Sequence, residues 1–127
     1  MPTKTILRPA AAAAPVGPYN HAVRVGDLLF CAGQIPLDPA TGQLVAGDIQ
    51  AQTVRVLENI KILLEAAQLG FANVVKTTVF LVDLADFAAM NEVYARYFTA
   101  EYPARSTIQV AALPRGARVE IEVIAHC

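Results

Sequence analysis

The stretch Pro103–Ala125, PARSTIQVAALPRGARVEIEVIA, holds two runs of alternating character, Arg105 to Ala112 and Ala117 to Ala125, around the turn-forming segment Leu113-Pro114-Arg115-Gly116. Its simplest reading is an antiparallel hairpin. With a four-residue loop, Ala112 stands opposite Ala117, Gln109 opposite Glu120, Thr107 opposite Glu122 and Arg105 opposite Ile124. Side chains alternate between the faces of a strand. One face then carries Arg105, Thr107, Gln109, Arg118, Glu120 and Glu122, and the other presents Ser106, Ile108, Val110, Val119, Ile121 and Val123 to a core. Solvent exposure is the ordinary explanation of such a polar face. The remainder of the chain argues for more.

The chain has 127 residues, the length of one domain (1–127), and can bury a core without a disulfide or a metal. Hydrophobic residues make up 55% and charged residues 17%, with a mean hydropathy of +0.43. So much apolar surface exceeds the interior of a small globule, which implies burial against other copies of the chain. No apolar run has the length of a membrane span, and the alanines Ala10–Ala14 after Lys4 and Arg8 are too short for a secretion signal. Cys31 and Cys127 lack metal-ligand spacing and read as free thiols of a reducing, cytoplasmic compartment. A net charge of −1 without a basic cluster argues against nucleic acid as a partner.

Along the chain, Thr3–Leu7 reads as a short edge strand. His21–Val25 and Leu28–Ala32 form a hairpin through Gly26-Asp27, and Leu37–Gly47 is a loop. A helix begins at Asp48 as cap, carries the stripe Ile49, Thr53, Val56, Leu57, Ile60, Leu63, Leu64 and Ala67, and closes at Gly70. No chemistry is apparent in it. Val74–Val82 reads as a strand in the middle of a sheet. A second helix starts at Asp83 or Asp86 and runs to about Ala100, with Phe87, Met90, Tyr94, Tyr97 and Phe98 on its apolar side. Asn91 falls within that stripe, so its amide needs a partner: a neighbouring backbone, a ligand or another subunit. The expected fold is an α+β two-layer sandwich, one mostly antiparallel sheet with two helices on one face and its other face bare for other subunits.

Signatures of serine hydrolases, zincins, nucleotide sites and dithiols are absent, and no metal site is expected. His21 and His126 lack acidic or thiol neighbours at ligand spacing and read as packing or surface residues. Arg105, Glu120, Glu122, Tyr19 and the turn Ala32-Gly33-Gln34 remain. The planar fork of an arginine suits a carboxylate, and a glutamate can act as general base or acid toward water. Within one hairpin Arg105 and Glu120 stand roughly 13 Å apart, too far for one small substrate. The edges of two adjacent subunits would bring one of each together.

In its motifs Gly17-Pro18-Tyr19, Gly33-Gln34-Ile35-Pro36, Asn73–Val79, Asn91, Pro103-Ala104-Arg105 and Glu120-Ile121-Glu122, the sequence resembles the reactive intermediate deaminase A (RidA) family along nearly its whole length. The resemblance implies a chorismate-mutase-like fold and a homotrimer with a central barrel, carrying three sites in the clefts between subunits. It implies hydrolysis, without a cofactor, of 2-imino and enamino acids released by pyridoxal-phosphate enzymes, such as 2-iminobutanoate and 2-iminopropanoate, to 2-oxo acids and ammonia. On that resemblance Arg105 grips the substrate carboxylate and Glu120 of the neighbouring chain handles water and protons. Tyr19 and Asn91 line the pocket, and the Gly33 backbone contacts the ligand, as does the chain at Thr107. Two positions depart from the common bacterial pattern, Ala32 for Ser and Thr107 for Cys, and the lost hydroxyl at Ala32 bears on substrate preference. A trimeric small-carboxylate-binding or interaction and regulatory protein without turnover is the alternative. Ribonuclease action, also associated with the family, fits poorly with near-neutral charge.

Overall fold

A computed structural model of the chain describes residues 3–127. Its strands are β1 (Thr5–Leu7), β2 (Ala22–Val25), β3 (Leu28–Gln34), β4 (Val74–Leu81), β5 (Ala104–Gln109) and β6 (Val119–His126), and its helices are α1 (Ile49–Ala66) and α2 (Phe87–Tyr97). The strands form one sheet in the order β1-β2-β3-β6-β4-β5. Every neighbouring pair is antiparallel except β4 and β5, which run parallel. Both helices cover one face, making the α+β two-layer architecture expected from the sequence.

Between the layers lies a continuous core of Val56, Leu57, Ile60, Leu63 and Leu64 from α1, Met90 and Val93 from α2, and Leu29, Val79, Leu81, Val119, Ile121 and Val123 from the sheet. All eight residues of the α1 stripe are buried. Asp48 caps this helix, its Oδ1 accepting from the Ala51 N–H at 2.9 Å. Gly70 does not close it, contrary to expectation. The left-handed residue is Gln68 (φ 61°), whose N–H donates to the Glu65 carbonyl while the Leu69 N–H donates to that of Leu64. This is a Schellman motif with glutamine in the place that usually falls to glycine. Gly70 starts the one-turn 3-10 helix Phe71–Asn73 instead.

α2 also differs at its ends. Asp83 caps a separate 3-10 turn, Leu84–Asp86, and the helix stops at Tyr97, short of Ala100. At Phe98 the chain leaves helical geometry, and that ring stacks on Tyr94 with centroids 4.4 Å apart and meets Phe71 edge-on at 5.1 Å.

The hairpin expected from Pro103–Ala125 does not form, because β4 lies between β5 and β6. Arg105, Thr107 and Gln109 stand opposite Thr77, Val79 and Leu81 of β4, whose other edge sets Phe80 opposite Glu120 and Thr78 opposite Glu122. Leu113–Gly116 is a turn all the same, with Arg115 and Gly116 at φ 59° and 75°. It belongs to a crossing over the end of β4: the Val110 N–H bonds the Leu81 carbonyl on one side, and the Val82 N–H bonds the Arg118 carbonyl on the other. The cause is burial. The inner rows of β4 (Thr77, Val79, Leu81) and β6 (Val119, Ile121, Val123, Ala125) are sealed from solvent, so these two strands take the sheet centre, and the more polar β5 takes an edge.

This topology splits the expected polar face, since a one-residue change of register reverses every side chain. Arg105, Thr107 and Gln109 share the helix side with Thr77, Val79 and Leu81. Glu120 and Glu122 share the bare side with Ser106 and Ile108, and Ile108, expected in the core, is 46% exposed. Neither helix covers this side. Val23, Phe30, Lys76, Thr78, Glu122 and Ile124 line a trough of about 360 Å³ there.

Candidate functional site

Arg105 projects from the edge strand toward α2, whose residues Phe87, Asn91 and Tyr94 recur at helical spacing on one face. The guanidinium stands 4.7 Å from the Tyr94 ring centroid and 5.5 Å from that of Phe87. Its Nη1 donates to Asn91 Oδ1 at 2.7 Å. Asn91 therefore finds its partner in the arginine side chain, and not in a backbone group. A guanidinium has five N–H donors in one plane, so this bond leaves others for a planar anion. Beside it opens a cleft of about 350 Å³ walled by Tyr94, Ala95, Phe98, Tyr102 and Pro103.

Tyr94 is anchored in turn. Its phenol oxygen lies 2.8 Å from Thr77 Oγ1, and Thr77 is the β4 residue directly opposite Arg105. Burial raises the Tyr94 pKa, opposed by the Thr77 hydrogen bond and the Arg105 charge, so the phenol is neutral at physiological pH. Two residues beyond Arg105, the hydroxyl of Thr107 is buried without a hydrogen-bond partner among the described residues.

Glu120 belongs to a second cluster. Its carboxylate lies against Gly33 at the end of β3, where a Cβ would meet Oε2 and stand 2.8 Å from Cδ. Only the missing side chain of glycine makes this approach possible. Burial, and next the neighbouring Glu122 charge, push the Glu120 pKa up. A small pocket of about 20 Å³ joins Gly33 to Tyr19, His21 and Gln34. The Tyr19 ring meets His21 edge-on at 6.0 Å. His21 is engaged on both nitrogens, Nε2 with the Ala13 carbonyl at 2.7 Å and Nδ1 with Gln34 Nε2 at 3.2 Å. It has the packing role expected of it.

Six residues singled out from the sequence thus fall into two groups. Arg105, Asn91 and Thr107 stand at the helix-side edge, and Tyr19, Gly33 and Glu120 cluster around the end of β3. Through the β4 register, Arg105 and Glu120 lie three residues and two strand spacings apart, roughly 10 Å along the sheet and roughly 9.5 Å across it, on opposite faces. One chain does not bring them together. A direct β5–β6 hairpin would have held them at a similar distance, but on one face of the sheet.

Phe87, Tyr94 and Thr77 escaped sequence reasoning as site residues. Their signal is the polar Asn91 between two aromatics on one helical face, which read only as an apolar stripe. Among the described residues no group of three or more His, Cys, Asp or Glu side chains is placed to hold a metal ion. No described helix is long and apolar enough to cross a membrane.

The family model described as endoribonuclease L-PSP matches residues 9–127. The chain is 58% identical over 112 residues to protein DfrA of Myxococcus xanthus, covering 87% of this chain and 86% of that one. It is 49% identical to the 2-iminobutanoate/2-iminopropanoate deaminase of Capra hircus, covering 96% of this chain and 89% of the relative. Among solved structures, Escherichia coli TdcF with bound serine superposes with a TM-score of 0.92 at 44% identity, over 97% of this chain and 98% of the other.

Proposed function

Since the chain belongs to the endoribonuclease L-PSP family, also called RidA, we propose that it hydrolyses 2-imino and enamino acids, 2-iminobutanoate and 2-iminopropanoate among them, to 2-oxo acids and ammonia. The observation that carries this reading is the pair of half-sites. A guanidinium held by neutral groups, with donors to spare, matches a substrate carboxylate, and a half-buried carboxyl whose pKa is raised by burial matches a group that exchanges protons with water. They are out of reach of each other within one chain. The bare sheet face, with Phe30 42% and Ile108 46% exposed, supports a homotrimer in which Arg105 of one subunit and Glu120 of the next share a cleft.

The chemistry follows. Arg105 takes the substrate carboxylate in a two-pronged grip and presents the C=N carbon to a water beside Glu120. As the water oxygen bonds to the carbon of the protonated imine, the Glu120 carboxylate takes a water proton and the C=N π electrons move to nitrogen, giving a neutral carbinolamine. Glu120 then returns the proton to nitrogen; as the C–N bond breaks the hydroxyl O–H electrons form the C=O bond, the hydroxyl proton passes to the Glu120 carboxylate and on to the departing ammonia, and a 2-oxo acid and ammonium leave. Water is the only co-reactant, and no cofactor enters the scheme. Asn91 orients Arg105; Tyr19, the Gly33 backbone and the chain at Thr107 line the cleft. Imines of this kind arise when pyridoxal-phosphate enzymes release enamines, which places those enzymes upstream.

A second reading, a small-carboxylate-binding trimer without turnover, draws on the relative solved with bound serine. Ribonuclease action has less support, because a net charge of −1 supplies little of the phosphate attraction that dominates nucleic-acid affinity. The deciding test generates 2-iminobutanoate in situ and follows 2-oxobutanoate formation with the protein at substoichiometric amounts. A deaminase speeds the reaction over many turnovers; absence of acceleration leaves the binding reading.

A further inference from the structure

The guanidinium of Arg105 is held without a carboxylate. Among the described residues no acidic side chain stands within ion-pair distance of it; its supports are an amide oxygen and two aromatic faces. A carboxylate partner would compete with an anionic substrate for the same donors, whereas neutral supports leave the charge free for it. The nearer face is Tyr94, and this ring is fixed by something further inside. Tyr94 (7% exposed) and Thr77 (0%) share one hydrogen bond of 2.8 Å across the layer between α2 and β4. Thr77 in turn sits opposite Arg105 in the parallel β4–β5 ladder. Backbone register and side-chain contacts thus close a circuit, from Arg105 to Thr77 across the strands, from Thr77 to Tyr94, and from Tyr94 back to the guanidinium.

We propose that Thr77 and Tyr94 are positioning residues for the carboxylate grip of Arg105. The bond between their hydroxyls stops the Tyr94 ring from shifting along the guanidinium plane, and so keeps the unused N–H pair aimed into the cleft beside Asn91. Asn91 alone fixes one nitrogen and leaves rotation about the Nη1–Oδ1 contact open; the ring removes that freedom. Cation–π attraction needs the cation over the ring face, so a displaced ring costs both attraction and aim. This inference rests on the reading of Arg105 as the group that binds the substrate carboxylate.

The test measures affinity for 2-oxobutanoate, the product of the proposed reaction, by calorimetry on the intact protein, together with KM and kcat for imine hydrolysis. Arg105→Ala, Tyr94→Phe, Thr77→Val, Thr77→Ser and the double variant Tyr94→Phe/Thr77→Val are compared. Leu29→Ala, a core change in β3, two strands away from Thr77, controls for lost stability. Tyr94→Phe and Thr77→Val are each expected to weaken binding and raise KM about fivefold, the worth of one hydrogen bond, with kcat within about twofold. The double variant should be no worse than either single one, since both remove the same bond, and Thr77→Ser should restore binding. Leu29→Ala should lower Tm and leave affinity alone. If Arg105→Ala abolishes binding while Tyr94→Phe and Thr77→Val bind like the wild type, the positioning role is overturned and the reading of Arg105 stands. Undiminished binding by Arg105→Ala overturns that reading, and the positioning role with it. Equal weakening by Leu29→Ala would show that the pair acts through stability alone.

Discussion

The Glu120 carboxylate occupies the space that a side chain at position 33 would take: a Cβ on Gly33 would meet Oε2 and stand 2.8 Å from Cδ and 3.0 Å from Cγ. The end of β3 and the start of β6 are fitted to each other at this point. What would move is the far end of a flexible side chain, not backbone.

Gly33→Ala should therefore separate stability from activity. The carboxylate can swing away, so overpacking should cost less than about 1 kcal/mol, below the usual penalty for a rigid core site. Glu120 would, however, leave the position from which the proposed reaction uses it. Imine hydrolysis is expected to fall at least about tenfold, or about 1.4 kcal/mol in the barrier, with Tm nearly unchanged. Thermal denaturation alongside steady-state kinetics checks this, and unchanged kcat/KM would mean that the carboxylate acts elsewhere or not at all.

Burial and the Glu122 charge raise the Glu120 pKa, and the sign for stability is definite. Between the ordinary carboxylate value and the raised one, the folded chain binds more protons than the unfolded chain, so stability falls as pH rises through that window. Above it the ionised Glu120 burdens the fold in full. Glu120→Gln should raise Tm at pH 8 and lose this advantage at acid pH, below the ordinary value. For activity, protonation removes the base, so the acid limb of the pH–rate profile should follow Glu120. Glu122→Gln, which removes the like charge, should move that limb to lower pH.

How much of this was legible in the sequence depended on whether the information was local. The α1 stripe and the Asp48 cap lie within one segment, and both hold. The Gly26-Asp27 hairpin is equally local. Leu113–Gly116 announced a turn, yet turn residues do not say which strand the chain rejoins. That choice was made by β4, forty residues upstream, whose buried inner row competes with β5 for the edge of β6. Arg105 and Glu120 stood out by chemistry alone, but the faces they occupy depend on that pairing and were read wrongly. Tyr94 was hidden because an aromatic ring under a cation and one in a core look the same in a helical stripe.

Arg105 sits on a planar ring and donates to a planar amide. Lysine offers a point charge with neither stacking nor a fork. Arg105→Lys should recover little of what Arg105→Ala loses, both falling by about a hundredfold or more in kcat/KM if the two-pronged grip and its aim are lost together. Near-wild-type turnover by the lysine variant would show that charge alone suffices.

The thiols give an independent check on the packing. Cys31 is buried, and burial pushes its pKa up to about 12, so it stays protonated and unreactive. Cys127 is exposed. A thiol-reactive chromophore at pH 8 should label one cysteine per native chain rapidly and two after denaturation. Rapid labelling of both in the native state would contradict the β3–β6 core.

Arg105 and Glu120 lie on opposite faces with β4 between their strands, and this separation leads to the sharpest test of a shared site. In the proposed trimer each cleft takes Arg105 from one subunit and Glu120 from the next. Glu120→Gln should keep most carboxylate affinity while turnover drops by about 10² or more, the usual contribution of a positioned acid–base group. Arg105→Ala should lose binding. Refolded together, the two inactive variants form mixed trimers, and wherever an Arg105→Ala subunit supplies Glu120 to a Glu120→Gln subunit that supplies Arg105, one cleft is intact. Activity should therefore reappear on co-refolding and be absent when each variant is refolded alone, with mass measurement showing that the active species contains both. Mixed trimers without recovered activity would mean that the two residues act from one chain, which their placement on opposite faces opposes, or that one of them takes no part in the reaction.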